Sequence, residues 1–477
     1  MPALAEGGNV KRRMIGNWMR RHPVTVGGLG FLAAVTLIFF GFDSYTRIRF
    51  YSEIRALERL GIPCDIEGFA ERQRKRGNSR EVFEEFLAHC RALSTENFPA
   101  PDASSPYRVL EPNDLSQFLA DRAEEIQAAD RFLEEHSGPV LWYDFESLPH
   151  LLYMDLPPLD SLIQYVRLNH DRFYYALSRN DPEEAARNFD RSAILRDYLL
   201  QEPYIIYYLM ALSMEMSRQQ TILDAAGNGD LEKFNSATLK RWGDSMVDVE
   251  AEFRRQLPSA MEENFAWLAE MIRRPGLIGH LITGAEAEVW RDVYACLFGT
   301  LVRLDGILVL EIQEELVSLA AGDCTPETAA KLQEIREMKK SQRGIVQRLS
   351  PFPILAQFLI PDAIPRVWRM YAHCRVVRTG LAVELFSRKY GRLPQKLDEL
   401  VPEFLPAVPV SPFTGKPLQI ESGTFDYTPA GSETVETCEG YRIVVDDSPS
   451  YSRTDRNGLN PVRNRAMKLP GGGEGKE

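Results

Sequence analysis

Apolar positions divide this chain into three regimes. The first is an unbroken run, Val24 to Phe42, nineteen residues without a charge. As a helix rising 1.5 Å per residue it would extend about 28 Å, close to the roughly 30 Å hydrocarbon core of a bilayer. In the second regime, from about Ser52 to Arg388, apolar residues recur at alternating spacings of three and four, the period of amphipathic helices that bury one face. The third begins past Pro394, where prolines at 402, 406, 409, 412 and 417 exclude long helices and short alternating pieces appear. The pattern predicts a mainly α chain. It has one N-terminal transmembrane helix, a large domain of antiparallel helical hairpins and a small α+β C-terminal module.

Charges orient the first segment. Lys11, Arg12, Arg13, Arg20 and Arg21 precede it, whereas Asp43 comes after it and only Arg47 and Arg49 lie close beyond. The positive-inside bias then keeps residues 1–23 cytoplasmic as a basic tail and places the rest of the chain on the other side. A cleaved secretory signal is the alternative. Its apolar core is usually 7 to 15 residues and ends at small residues, which Gly41 to Tyr45 do not supply. Twin-arginine export is disfavoured because His22 and Pro23 come directly after Arg20 and Arg21. Trp18 before the run and Tyr45, Phe50 and Tyr51 after it are expected at headgroup level. Gly27, Gly28 and Gly30 do not form the GxxxG spacing of a helix dimer.

Within residues 43–360 several helix boundaries are explicit. Asp181, Pro182, Glu183 and Glu184 combine an N-cap, a proline at the first helical position and acids at the positive end of the helix dipole. The helix they open carries Ala185, Ala186, Phe189, Ala193 and Leu200 on one stripe and stops at Pro203; the apolar run Tyr204 to Met214 starts the next. Asn228, Gly229 and Asp230 predict a turn, and Leu239, Trp242, Met246, Val249 and Phe253 a packing seam. Thr325 and Pro326 repeat the N-cap logic. Leu277 to Leu319 is expected to be soluble core, since Arg303 and Asp305 interrupt it and each charge costs about 2.5 to 3.5 kcal/mol in lipid. The segment "NDPEEAARNF" has the look of a tetratricopeptide hairpin, but it lacks a 34-residue period. The proline-punctuated stretch Pro351 to Pro365 marks a boundary, so a C-terminal module is placed at 361–447. It comprises a long helix ending near Tyr390 and Gly391, then strands at Leu418–Ile420, Phe425–Tyr427 and Tyr441–Val445 with Ser422 and Gly423 as a turn. Residues 448–477, rich in Ser, Asn, Arg and Gly, are expected to be disordered.

Composition narrows the partners. The chain has 477 residues, 44% hydrophobic and 26% charged, with a net charge of −12, so a nucleic-acid role is not expected. Arg72, Arg74, Lys75, Arg76 and Arg80 form one basic cluster, read as a solvated helix face. Six cysteines, at 64, 90, 296, 324, 374 and 438, lack CxxC spacing, which disfavours zinc. On the oxidising side of a membrane, Cys64 with Cys90 and Cys374 with Cys438 are the pairs to test. The second would staple a helix to the sheet for about 4 kcal/mol. Buried free thiols are the alternative.

No catalytic, cofactor or metal site is assigned from the sequence. Glu85 and His89 lie four apart, and His373 adjoins Cys374, without HExxH or Cys–His–Asn context. The most polar group in an aromatic stretch is Asp144, Glu146 and His150, where paired carboxylates could serve acid–base chemistry or simply sit on a loop packed by Trp142, Tyr143, Phe145 and Tyr153. The glycine-rich end, Gly471 to Lys476, lacks the spacing of a phosphate loop.

The stretch Leu381–Leu418, "LAVELFSRKYGRLPQKLDELVPEFLPAVPVSPFTGKPL", resembles the C-terminal part of the major pseudopilin of type II secretion. There a long helix meets a Tyr, Gly, Pro corner and a proline-rich loop before a small antiparallel sheet. Together with the hairpin at Asn180–Ile206, the chain is similar to large single-pass envelope proteins of planctomycete-like bacteria that place this module after a helical region. The resemblance implies a fold element and an envelope setting, and no chemistry; joined to the anchor read from 24–42, it gives the expectation of an inner-membrane protein with a periplasmic bulk and envelope protein partners, in a non-enzymatic interaction or scaffold role. The alternative is a membrane-tethered periplasmic enzyme with a site between distant helices. The prepilin-peptidase motif is missing near Gly30 to Phe42, Ser411 stands where the family has Asp, and Ile420 where it has Tyr. Such modules can bind Ca²⁺. Asp426, Glu433, Glu436, Glu439, Asp446 and Asp447 match no ligand spacing and are read as surface acids. Tyr390, Leu393, Pro394, Leu397, Leu400, Val401, Phe404, Leu405 and Val408 are expected as core of the corner, with Gly415 and Pro417 turning the chain into the sheet.

Overall fold

The computed structural model describes residues 23–59, 65–93, 110–136, 138–144, 159–202, 205–273, 288–322, 325–341, 363–427, 436–444 and 466–468. Among these the chain is mainly helical, with one small antiparallel sheet. The helices are α1 (Pro23–Arg59), α2 (Ile66–Arg76), α3 (Arg80–Ala92), α4 (Pro112–Asp121), α5 (Ala123–Glu135), α6 (Leu159–Ser178), α7 (Pro182–Gln201), α8 (Ile205–Asn228), α9 (Ser236–Arg273), α10 (Glu288–Ala321), α11 (Pro326–Ser341) and α12 (Ala363–Tyr390).

Local signals act where expected. Asp181 Oδ1 accepts the Glu184 amide at 3.0 Å and Pro182 opens α7, while Thr325 Oγ1 accepts the Thr328 amide at 3.2 Å before α11. Helix α8 stops at Asn228 because Gly229 takes a left-handed conformation, φ 79°, which glycine alone adopts without strain. The α9 seam is fully enclosed: Leu239, Trp242, Met246, Val249 and Phe253 are all buried.

Packing joins these pieces into one body. Helices α6 and α7 pair as a hairpin, α7 on α8, α9 on both α10 and α12, and α10 on α1. Gly306 of α10 lies so close to Ile272 of α9 that a Cβ there would collide with the isoleucine side chain. One continuous cluster of buried side chains runs from Phe50 to Ile443. Helix α12 is its most enclosed member, with Trp368, Met370, Tyr371 and Val383 inaccessible to solvent. Arg388 of α12 donates to the carbonyls of Phe234 and Leu231 at 2.6 and 2.7 Å, capping the loop after α8.

The C-terminal sheet differs in detail from the sequence expectation. Strand β1 is continuous over Gln419–Tyr427 and pairs antiparallel with β2, Glu436–Val444. Ser422 and Gly423 therefore lie inside a strand and do not form a turn. Gly423 stands opposite Gly440, so no cross-strand side chains meet there, and the ladder hydrogen bonds override the local turn preference. A three-residue strand β3, Ala466–Lys468, pairs with β2 inside the 448–477 stretch expected to be disordered; the rest of that stretch lies outside the described residues. Gly391 closes α12 with φ 67°, and Gly415, φ 68°, turns the chain where Val410 bridges Pro417, as expected. Leu397, Leu400 and Leu405 are buried. Tyr390 is not core: it is half-exposed and donates to Glu403 Oε2 at 2.8 Å. The buried Tyr441 ties the sheet to α12 through a bond from its hydroxyl to the Gly380 carbonyl, 3.3 Å.

Two further expectations are corrected. Cys90 and Cys374 are free, buried thiols. The Cys374–Cys438 staple is thus not formed, because Cys374 points into the helical core, where Gln219 Nε2 donates to its Sγ at 2.9 Å. Cys64 lies outside the described residues; among the described residues Cys90 has no disulfide partner, and burial pushes its thiol up to about 12. Phe50, expected at the lipid headgroups, is 1% exposed and packs into the body, whereas Tyr45 and Tyr51 are exposed.

Helix α1 is continuous across the expected span and beyond it, 37 residues or about 55 Å. Side chains before Leu37 lie outside the described residues. Among the described residues no helix is long and apolar enough to cross a membrane. The C-terminal part of α1 is built into the body. Asp43 accepts from Thr300 at 2.5 Å and pairs with Arg303, Arg49 pairs with Glu311, and Phe50 and Ile54 join the core. Arg303, whose charge argues in the sequence against a second span, thus has its counter-ion on α1.

Candidate functional site

Helices α4 to α7 enclose a cleft of about 450 Å³, within the range of small-molecule sites. Leu119, Ala123, Ile126 and Ala176 form an apolar wall. The opposite side is ionic and converges on Asp130. Arg172 donates to both Asp130 oxygens, at 3.0 and 2.9 Å, Tyr165 donates its hydroxyl at 2.8 Å, and Arg191 pairs with it at 3.1 Å. Asp130 and Arg172 are each 7% exposed.

Neighbouring groups complete the network. Glu184 accepts from Arg172 and Arg191 at 3.4 and 3.5 Å, and Arg191 also donates to Asn188 Oδ1 at 3.1 Å. Burial works against the charge on Arg172, but the hydrogen bonds and charge of Asp130 outweigh it and raise its pKa. Burial and the Asp130 carboxylate push the Tyr165 phenol well up, so it donates and does not ionise. Asp130 is engaged by three donors, which makes it a clamp between α5, α6 and α7. At the mouth, the Tyr175 hydroxyl donates to Ser116 Oγ at 2.9 Å and Arg179 lies 5.7 Å from the Tyr175 ring centre. Asn188, 1% exposed, lines the cleft with its Nδ2 unbonded. The arrangement suits a ligand with an apolar body and a hydrogen-bond acceptor.

Sequence reading did not find this site. The usable signal was a charge on a core stripe: Asp130 comes after Ile126 and Ala129 and precedes Leu133, all buried, so its carboxylate faces inward. A charge in that position needs a partner, and the hairpin supplies Arg172 and Arg191 from segments 42 and 61 residues later.

The residues nominated from sequence do not converge. Asp144 is exposed at the end of the segment 138–144; Glu146 and His150 lie outside the described residues. Glu85 and His89 form an i, i+4 pair at 3.9 Å. His373 and Cys374 are buried in α12. The basic cluster is divided between the end of α2 and the start of α3; Lys75 pairs with Glu71 at 2.7 Å and Arg80 with Glu84 at 2.8 Å, whereas Arg76 reaches the buried Glu202 at 3.8 Å. Asp426, Glu436 and Glu439 stand along paired strands, and among the described residues no three His, Cys, Asp or Glu side chains are grouped to hold a metal ion.

Next to Asp144, a second polar site straps residues 138–144 to the body. Gln73 makes two bonds to the Tyr143 backbone, both 2.8 Å, and Asn78 Nδ2 bonds the Leu141 carbonyl at 2.5 Å and Glu202 Oε1 at 3.1 Å. Glu202 is 3% exposed with Arg76 at 3.8 Å. Burial raises its carboxyl to about 7, more than Arg76 and Asn78 lower it. The folded state therefore holds this proton more tightly than the unfolded chain, and the resulting stability is lost as pH rises from about 4.5 to about 7. Glu202→Gln should be more stable than the parent by about 1–3 kcal/mol at pH 8 and nearly equal to it at pH 4.5. Urea midpoints at the two pH values measure this; equal midpoints at pH 8 contradict it.

Comparison of the chain with family models, with curated proteins and with solved structures found no match. Function must be argued from the geometry.

Proposed function

We propose that this chain is a single-pass protein of the bacterial inner membrane, with its N-terminus cytoplasmic and its helical body in the periplasm serving as an interaction scaffold. The observation that carries this reading is helix α1. Its N-terminal half coincides with the uncharged run 24–42, its exposed side chains there include Leu37 and Phe40, and its C-terminal half is locked into the core with no linker. A helix that is greasy and exposed at one end and integral to a folded body at the other is an anchor that positions a domain.

The C-terminal elements support the pseudopilin-like reading of 361–447: a long helix, a left-handed Gly391 corner, a proline-rich loop and two antiparallel strands occur in that order. Partners would meet the cleft around Asp130, whose ion pairs fix its walls. The cleft also gives the alternative, a tethered enzyme, its best location, through the unbonded Asn188 amide.

The test is fractionation of cells producing the full chain, with carbonate washing and protease treatment of spheroplasts. The chain should resist carbonate and be digested from the periplasmic side; release by carbonate, or protection of the body, rules the reading out. A photo-reactive residue at Tyr175, on the cleft mouth, should then cross-link a protein partner. Capture of a small molecule instead favours the enzyme.

A further inference from the structure

Six of the ten large hydrophobic side chains exposed among the described residues lie on α1: Leu37, Phe40, Phe42, Tyr45, Ile48 and Tyr51. They do not stop at Asp43, where the uncharged run ends. With 3.6 residues per turn, Leu37, Phe40, Ile48 and Tyr51 fall within an arc of roughly 80°, which Tyr45 widens to roughly 140°. Asp43, Thr46, Phe50 and Ile54 occupy a separate arc centred about 120° from that of Leu37, Phe40, Ile48 and Tyr51, and face the body. Ile48 is 73% exposed, as much as Leu37 at 72%. The stripe ends where Arg55 replaces an apolar residue on the same face.

Resting on the membrane-anchor reading above, we propose that Tyr45, Ile48 and Tyr51 are seated in the phospholipid headgroup boundary, so that α1 leaves the bilayer on a slant and holds the helical body against the membrane surface. On the body side the apolar face ends at Asp43, which is occupied by Thr300 and Arg303. On the far side it runs eight residues further, about 12 Å. A helix whose two faces leave the hydrocarbon at different heights is tilted toward the longer face. The chemistry of the extension fits: tyrosine pairs an apolar ring with a polar tip suited to headgroup depth, and Arg55 at the end of the stripe suits phosphate groups, whereas Arg47 is held by Asp43 at 2.7 Å. A second copy of the chain fits less well. Five side chains on one helix offer a few hundred Å², short of the roughly 800 Å² per partner of a stable interface.

The experiment places p-benzoylphenylalanine at Ile48 of the full chain in native membranes, with the same substitution at Phe40 as reference. Both positions are exposed, so neither substitution disturbs the core. Irradiation should give lipid adducts by mass spectrometry at both sites, with comparable yield. A lipid adduct at 40 but none at 48 overturns the slant and leaves the anchor standing; none at either overturns the anchor itself. A cross-link from 48 to a second copy or to another protein overturns the proposal.

Discussion

Glu215→Ala is expected to lower the unfolding free energy by about 3–5 kcal/mol, the range for breaking a buried ionic cluster from one side. Glu215 is inaccessible to solvent at the centre of the α7–α8 packing. Its Oε2 accepts from Arg196 at 2.5 Å and Arg218 at 2.6 Å, and its Oε1 from Gln219 at 3.0 Å. Burial alone would raise this carboxyl, but Arg218 and Arg196 together hold it below the usual carboxylate range. Burial also opposes the charge of both arginines. At Arg196 the carboxylates of Glu215 and Asp197 outweigh it, whereas at Arg218 the neighbouring Arg196 tips the balance downward.

Removing Glu215 leaves two buried guanidinium groups facing each other; Arg196 keeps Asp197 at 2.7 Å, while Arg218, the more enclosed of the two, keeps only neutral partners in contact, the Phe189 carbonyl at 3.3 Å and its ring at 4.2 Å. Because the folded pKa is depressed, the stability that Glu215 contributes is present above its unfolded value and lost as pH falls through the folded one. Urea unfolding of the detergent-solubilised chain at pH 7, monitored by circular dichroism, measures the loss. A change below about 1 kcal/mol would show that water reaches the arginines and that the cluster is not closed.

Trp242→Ala carries the second large effect, about 3–5 kcal/mol for deleting an enclosed indole. The side chain is 2% exposed, its ring centre lies 4.6 Å from that of Phe189 and 4.9 Å from that of Phe234, and its Nε1 donates to Asp190 at 3.1 Å. It therefore joins α9 to α7 and to the loop closing α8. Trp242→Phe keeps most of the volume and loses only the hydrogen bond, so it should cost about 1–2 kcal/mol. If both variants unfold at the same urea concentration, the aromatic contacts contribute little and the joint is held by Arg388, which bonds two carbonyls of the same loop.

Helix starts and stops were legible because they depend on nearest neighbours. Asp181 and Pro182, Thr325 and Pro326, Gly229 and Gly391 each act within one turn, through a cap bond or a left-handed backbone that few other residues supply. The α9 seam was legible for a related reason, since a stripe at helical spacing must be covered by something. Where local signals failed, a distant partner supplied the missing free energy. Ser422 and Gly423 read as a turn but are held in β1 by nine pairings with β2.

The same division separates anchor from cleft. The uncharged run and its basic flank are properties of consecutive residues, so the sequence by itself sets the expectation of an anchor and its orientation, and it determined the helical class of the body beyond. It could also mark Asp130 and Glu215 as acids on apolar helix stripes, with Glu202 directly after the end of one. Only the tertiary structure decided which cations meet them, because Arg172, Arg191, Arg76, Arg196 and Arg218 arrive from other turns or other helices. Only it decided that Phe50 enters the core while Ile48 stays outside. Two residues apart on a helix, they point about 160° from each other, and only the Phe50 face is covered, by chain folded back from some 250 residues away.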